Sequence, residues 1–91
     1  MRNHKNAVRC LTLTYDSQYL FSSDDSGLIN QYDIQNDTYH SYKNLHFTGV
    51  EAMAVSYDNQ FLFTSDISAN MKKIDISKKL LIKSYDKVVD V

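Results

Sequence analysis

One stretch of this chain occurs twice, and that duplication limits the available folds more than any other feature. Residues 8–34 read VRCLTLTYDSQYLFSSDDSGLINQYDI and residues 50–76 read VEAMAVSYDNQFLFTSDISANMKKIDI, 42 positions apart and without a gap. Extended back to His4 and His46, the alignment holds 12 identities in 31 positions. A repeat of roughly 40 to 45 residues that is dense in strand signals is typical of a propeller blade.

Each copy is predicted to form four short antiparallel strands. Polar turn residues such as Tyr15–Gln18 separate the apolar runs, and their number suits hairpins of four to five loop residues. No ten-residue window has helical periodicity, so the expected fold class is all-β with two four-stranded blades. The predicted strands are 8–14, 19–23, 28–34 and 38–42 in the first copy, and 50–56, 61–65, 70–76 and 80–85 in the second.

The first strand of each copy carries small or β-branched residues on one face and larger residues on the other. Such asymmetry is typical of a strand that lies between two sheets, because a surface strand would show polar residues on one face. Cys10 aligns with Ala52, so we expect a small buried filler there rather than a reactive thiol.

Composition excludes several classes of protein. The chain has 91 residues, is 43% hydrophobic and 23% charged, and has a net charge of −1, so no overall field favours nucleic acid. No apolar run approaches the roughly 20 residues that span a bilayer, so no membrane partner is expected. The lone Cys10 favours a reducing compartment, and we expect the cytoplasm. No phosphate loop, nucleophile motif or metal-ligand spacing is present, so no cofactor, metal or catalytic residue is predicted.

The chain resembles the WD-repeat family. In that family a His opens the loop before the first strand, an Asp lies in the first hairpin, and the third strand closes on Trp-Asp. The matching positions are His4, Val8, Tyr15-Asp16, Leu20–Asp24, Ile29 and Tyr32-Asp33, with Ile74-Asp75 closing the second copy. The resemblance implies two blades of a WD-repeat β-propeller, an incomplete ring. Repeat 1 would cover about residues 4–45 and repeat 2 about 46–87, with 88–91 as the start of a third.

The family's blades are stiffened by a buried hydrogen-bond network of His, Ser, Asp and Trp. The resemblance aligns its Ser with Ser22 and Thr64, its turn Asp with Ser26 and Ser68, and its Trp with Tyr32 and Ile74. On that alignment His4 would meet Ser22 and Tyr32, whereas His46 would meet Thr64 alone. We therefore expect the second blade to depend on Ile74 packing rather than on polar bonds.

Two adjacent blades leave two sheet faces bare, because every blade of a propeller is covered on both faces. A chain of this kind is expected to be a segment of a longer propeller or, as the less favoured reading, to self-associate into a ring. Six lysines cluster near the end of the chain. They are interpreted as residues of a solvent-exposed outer strand, where their charges prevent another strand from pairing with the edge of the sheet. The alternative is that they form a patch for an acidic partner. These are Lys72, Lys73, Lys78, Lys79, Lys83 and Lys87.

The resemblance implies a protein–protein interaction scaffold without its own active site. Partners would be other proteins or the remaining blades, and recognition is expected in the loops after the second strands, Asp24–Gly27 and Asp66–Ala69. The predicted contact residues are Asp24, Asp25, Ser26, Asp66 and Ser68. The alternative is a fragment of a lactonase-like propeller hydrolase, with Glu51 and Asp66 as two metal ligands.

Overall fold

A computed structural model describes residues 7–85, which form two four-stranded antiparallel sheets. Neighbouring strands in each sheet follow chain order, β1-β2-β3-β4 and β5-β6-β7-β8. The strands are β1 (Val8–Leu13), β2 (Tyr19–Asp24), β3 (Ile29–Asp33), β4 (Thr38–Tyr42), β5 (Val50–Val55), β6 (Phe61–Asp66), β7 (Met71–Asp75) and β8 (Leu80–Tyr85). The all-β fold with two blades in an open arrangement is therefore confirmed. Residues 88–91, the expected start of a third unit, lie outside the described residues.

The turns of the two blades repeat the same backbone conformations. Left-handed residues occur at equivalent positions in three turns, in the pairs Ser17/Asn59, Gly27/Ala69 and Asp37/Lys79. In the first hairpins, the carboxylates of Asp16 and Asp58 accept the N–H of the residue two positions later, at 3.0 and 3.1 Å. Short polar side chains thus close turns in a chain that has no proline. Within residues 7–85, no helix is long and apolar enough to cross a membrane.

The hydrophobic core lies at the joint between the two blades. Phe21 and Ile29 of the first blade and Leu62 and Ile74 of the second are fully buried in one cluster. The innermost strands β1 and β5 pack side by side at this joint. Within residues 7–85 the buried apolar residues form this one cluster, so each blade is stabilised by its neighbour.

Polar groups fasten the two blades together. The side-chain N–H of Gln31 donates to the carbonyl of Ile76 at 3.2 Å, and the hydroxyl of Tyr42 donates to the amide oxygen of Gln31. Burial raises the pKa of Tyr42, with a smaller contribution from the Asp75 carboxylate, so the phenol stays a donor. Cys10 is only half-buried, and its thiol donates to the carbonyl of Glu51 at 2.9 Å, so it is not the fully buried filler that was expected.

The prediction that β1 lies between two sheets is also wrong. The small side of β1 faces the second blade, but Leu11 and Leu13 on the other side are exposed. The alternation of residue sizes is real. It belongs to a strand that has a neighbouring sheet on one side only within residues 7–85.

Candidate protein-binding edge

The loops that follow β2 and β6 lie next to each other at one edge of the molecule. Gly49 lies between them. Its carbonyl accepts the N–H of Ile67 at 3.2 Å, and a Cβ at this position would lie 3.4 Å from the carbonyl oxygen of Asp25. Gly27 lies against the backbone carbonyls of His46 and Thr48. The two loops and residues 46–49 between them therefore form one continuous surface, which we call the loop edge.

Asp24 and Asp66 are buried inside these loops. Asp24 accepts the N–H groups of Ser26 and Leu28 at 2.9 and 3.1 Å, and Asp66 accepts those of Ser68 and Asn70 at 2.9 and 3.0 Å. Such carboxylates hold a turn in shape and are not available to a partner. Of the five residues predicted to contact a partner, only Asp25, Ser26 and Ser68 are exposed.

A buried polar network links the loop edge to the second blade. Nδ1 of His46 lies 2.8 Å from a carboxylate oxygen of Asp66, and Nε2 lies 2.7 Å from the hydroxyl of Thr64. The expectation that His46 meets Thr64 alone is wrong. The alignment placed the turn aspartate of the family at Ser68, but Asp66 provides the carboxylate that contacts His46. Ile74 is fully buried as expected, but the second blade is stabilised by this polar network as well as by the packing of Ile74.

The network also affects the ionisation of Asp66. Burial on its own would raise the pKa of this carboxyl, but the N–H of Asn70 and the His46 ring outweigh it and lower that pKa. An ionised Asp66 therefore fits this loop better than a protonated one.

The remaining repeat positions anchor other turns or lie elsewhere. Asp33 and Asp75 follow the Tyr32 and Ile74 positions, and they accept the N–H groups of Asn36 and Lys78 at 3.1 and 3.0 Å. Ser22 is fully buried and Tyr32 is half-buried. His4 lies outside the described residues.

Two apolar residues of the loop edge were not among the contact residues predicted from the sequence. Phe47 is 80% exposed and Ile67 is 58% exposed. Phe47 lines an open hollow of about 330 Å³ together with Ser26 and Lys43, and Asp25 beside it pairs with Arg9 at 3.0 Å. The available signal was the repeat alignment, which places Phe47 opposite Lys5 and Ile67 opposite Asp25. An apolar side chain cannot form the hydrogen bonds by which polar side chains stabilise a turn. Phe47 and Ile67 therefore stand out as residues that the turns themselves do not require.

The pair of ligands suggested for a hydrolase does not form a metal centre. Glu51 and Asp66 line the same shallow hollow of about 260 Å³, but the oxygens of Asp66 are occupied by its own loop and by His46. No group of three or more metal-ligating side chains occurs within residues 7–85. The loop edge offers exposed hydrogen-bonding and apolar groups.

Comparison with known proteins agrees with this geometry. Residues 1–33 match the family model of the WD domain, G-beta repeat. The fold is similar to the WD40 repeats of RRP9 and to U3-55K, each with a TM-score of 0.86 and 21% identity over 93% of this chain. It is also similar to the β-propeller domain of Cps50 (Swd1) from Myceliophteria thermophila, with a TM-score of 0.80 and 11% identity over 94% of this chain.

The chain spans only 27% of RRP9 and 28% of each of the other two structures. No match was found among proteins of curated function. The family model thus covers the first repeat as far as the end of β3, and the structural similarity covers the folds of both repeats. Residues 1–33 are therefore similar to a WD40 repeat, and residues 7–85 have the fold of two neighbouring blades of a β-propeller.

Proposed function

We propose that this chain is a non-catalytic protein–protein interaction scaffold, a segment of a larger WD-repeat protein that binds other proteins through its loop edge. The share of each similar structure that it covers supports the idea of a segment. The single cysteine, Cys10, supports a location in the cytoplasm, because proteins of that reducing compartment rarely contain disulfides.

The main support for this proposal is that the loop edge is one continuous surface. Its two loops are held by the buried carboxylates of Asp24 and Asp66 and are joined through Gly49. A partner would therefore meet a surface that is already ordered, and binding would cost little conformational entropy. Loops held on a rigid scaffold are the usual site of recognition.

The chemistry of the loop edge resembles that of a small protein interface. Phe47 and Ile67 offer apolar area, and the exposed Asp25, Ser26 and Ser68 surround them with polar groups. Binding energy at interfaces is usually concentrated in a few large side chains with a polar rim. We expect Phe47 and Ile67 to be those residues here.

Affinity capture with the immobilised chain tests the proposal. Proteins retained from an extract of the source cells should be lost with the Phe47→Ala/Ile67→Ala double variant and reduced with Asp25→Lys. Tyr39→Ala is the matched control, because Tyr39 is an exposed aromatic residue on the outer strand β4, away from the loop edge. Circular dichroism confirms that each variant is folded.

Two results would contradict the proposal. One is a wild-type chain that retains no protein. The other is a set of retained proteins that is unchanged by the double variant but lost with Tyr39→Ala.

A further inference from the structure

The turns that join the first two strands of each blade lie at the edge opposite to the loop edge. Val8 at the start of β1 pairs with Asp24 at the end of β2, and the second blade repeats this pairing, so the β1–β2 and β5–β6 turns lie at the far ends of these strands. Neighbouring blades of a propeller cover each other's sheet faces and not these turns. Residues 14–18 and 56–60, which we call the first-turn edge, therefore stay accessible in a longer propeller.

Two exposed tyrosines occupy equivalent positions at the first-turn edge and contact each other. The ring centres of Tyr15 and Tyr57 are 5.2 Å apart, and the rings are tilted by 59° instead of being stacked. The two turns also meet directly, because the N–H of Tyr15 donates to the side-chain oxygen of Asn59 at 2.7 Å. Tyr15 is still 64% exposed and Tyr57 is 86% exposed, so most of this aromatic surface is in contact with solvent.

A carboxylate closes each of these turns. Asp16 accepts hydrogen bonds from the hydroxyl of Thr14 at 2.5 Å and from the N–H of Gln18 at 3.0 Å, and Asp58 makes the same two bonds in the second turn. The hydroxyl bond and the N–H bond lower the pKa of each carboxyl, so both groups are ionised at neutral pH. The tyrosine rings therefore have no part in closing the turns, and each is followed in the chain by a negative charge.

These two carboxylates have no cationic partner. Asp16 and Asp58 form no ion pair within residues 7–85, and both bonds of each turn use the same carboxylate oxygen, so the second oxygen remains available. The aspartates of the outer turns differ, because the hydrogen bonds of the turn and, to a smaller extent, a neighbouring lysine stabilise each charge. These pairs are Asp33 with Lys79 and Asp75 with Lys78. The first-turn edge thus favours a cationic partner.

We propose that the first-turn edge binds a basic segment of a partner protein through an arginine side chain. The guanidinium group lies on the exposed tyrosine rings and donates to the available carboxylate oxygen of Asp16 or Asp58. Arginine fits this site better than lysine, because a planar guanidinium stacks on an aromatic ring while its edge still donates hydrogen bonds. This inference rests on the proposed scaffold function and adds the chemistry of one partner at a second surface.

Peptide binding to the 91-residue chain tests the inference. The probe is a fluorescein-labelled peptide that repeats Gly-Ser-Arg-Ser three times, followed by fluorescence anisotropy. Asp16→Asn/Asp58→Asn removes both charges but keeps an acceptor oxygen in each turn, and it should bind the peptide about tenfold more weakly. The control is Asp33→Asn/Asp75→Asn, which makes the same charge change in the outer turns and should alter the affinity by less than about threefold.

A second set of variants tests the aromatic rings. Tyr15→Ala/Tyr57→Ala should also weaken binding about tenfold, whereas Tyr15→Phe/Tyr57→Phe keeps the ring faces and should stay within about threefold of the wild type. Tyr39→Ala, which removes an exposed ring from the outer strand β4, is the matched control and should leave the affinity unchanged. Circular dichroism confirms that each variant is folded.

A third readout locates the peptide. In an NMR titration, the backbone N–H signals of Gln18 and Gln60, which donate to the two carboxylates, should shift as peptide is added. The N–H signals of Ser26 and Ser68 at the loop edge should not shift. A peptide with lysine in place of arginine should bind at least about threefold more weakly, because an ammonium group does not stack.

Four results would overturn the inference. They are equal binding of the lysine peptide or of a glutamate peptide, an equal loss of affinity in the two Asp→Asn double variants, unchanged affinity in Tyr15→Ala/Tyr57→Ala, and NMR shifts confined to the loop edge. In addition, a chain whose mass doubles in light scattering without peptide, and returns to that of one chain with Asp16→Asn/Asp58→Asn, would assign this edge to a second copy instead.

The two proposals fail separately. Phe47→Ala/Ile67→Ala should leave the affinity for the arginine peptide unchanged, and Asp16→Asn/Asp58→Asn should leave capture at the loop edge unchanged. If proteins are captured at the loop edge but the arginine peptide does not bind, only the inference about the first-turn edge is lost.

Discussion

Asp66 connects ionisation to stability at the scale of a single residue. Its carboxylate is buried, accepts two backbone N–H groups and contacts His46 at 2.8 Å. Because its folded pKa lies below the ordinary 3.8, its contribution to stability is fully present above about pH 4. The contribution is lost as the pH falls through the lower folded value.

The first prediction is that Asp66→Asn lowers the free energy of unfolding by about 2 kcal/mol at pH 7, because hydrogen bonds to a charged acceptor are lost. Below pH 4 the difference between variant and wild type should shrink. Urea unfolding at pH 7 and pH 3 measures both effects. Asp58→Asn is the control, because that carboxylate closes an exposed turn, and its loss should be smaller. A difference for Asp66→Asn that is the same at both pH values would contradict this account.

The second prediction concerns Gly27, which has a φ of 93° and lies against the backbone of the second blade. A Cβ there would lie 2.7 Å from the carbonyl carbon of His46 and 2.9 Å from the carbonyl oxygen of Thr48. Gly27→Ala should therefore cost about 3 kcal/mol in unfolding free energy. Gly49→Ala is the matched control, since its nearest atoms would be 3.4 Å away, and it should have little effect. Equal losses in the two variants would show that backbone contact at Gly27 is not the cause.

The sequence predicted the residue types of the buried network better than their positions. The pairing of His46 with Thr64 followed from the WD-repeat resemblance, and the structure has it. The carboxylate was placed two residues too late, because the alignment does not show where the β6 ladder ends and the loop folds back. For the same reason Asp24 and Asp66 were expected at the surface, although their loops close around them.

Gln31 joins the blades at the scale of whole elements. It lies on β3 of the first blade, donates to the carbonyl of Ile76 after β7, and accepts from Tyr42 on β4. One side chain thereby holds three segments in register across the joint.

The third prediction is that Gln31→Ala lowers the free energy of unfolding by about 3 kcal/mol, because it leaves a buried hydroxyl and a buried carbonyl without partners. Thermal and urea unfolding measure the change. The control is Lys73→Ala, the equivalent change on the second blade, where the side chain is only half-buried and a smaller loss is expected. If Lys73→Ala proved as costly as Gln31→Ala, the joint would not explain the difference.

The existence and order of the eight strands could be predicted from alternation and turn residues, and the fourth strands were placed without error at Thr38–Tyr42 and Leu80–Tyr85. The exposure of β1 could not, because alternation reports only that two faces differ. Whether a face is covered depends on a neighbouring sheet, which lies elsewhere in the chain or outside it. The thiol contact of Cys10 with Glu51 depends on the same neighbour.

At the scale of the whole molecule, two uncovered faces follow from two blades. Leu11 and Leu13 are exposed on the first blade, and the hollow around Phe63 and Met71 lies open on the second. The number of uncovered faces could be predicted from the presence of two repeats, but the exposure of β1 itself could not. The chemistry that distinguishes the two faces required the strand registers, which place Lys73 opposite Lys83.

The fourth prediction is that Ala69→Gly/Lys73→Gln increases self-association of the chain. The double variant gives the uncovered face of the second blade the glycine and the amide that the first blade uses in the joint. In a joint of the same kind, the Cβ of Ala69 would meet backbone atoms and the ammonium of Lys73 would be buried without a negative charge. Light scattering over a range of concentrations should show a larger mass than for the wild type. Each single variant should show less. A wild-type chain that associates as strongly as the double variant would contradict the assignment of Ala69 and Lys73 as barriers.

The left-handed residue after each second strand, glycine in one unit and alanine in the other, makes the two units non-interchangeable. If the two repeats were exchanged along the chain, the alanine would bring a methyl group into the contact between the blades, and the glycine would lie where no close contact requires it. The difference between a hydrogen atom at Gly27 and a methyl group at Ala69 therefore determines which repeat can come first in this pair.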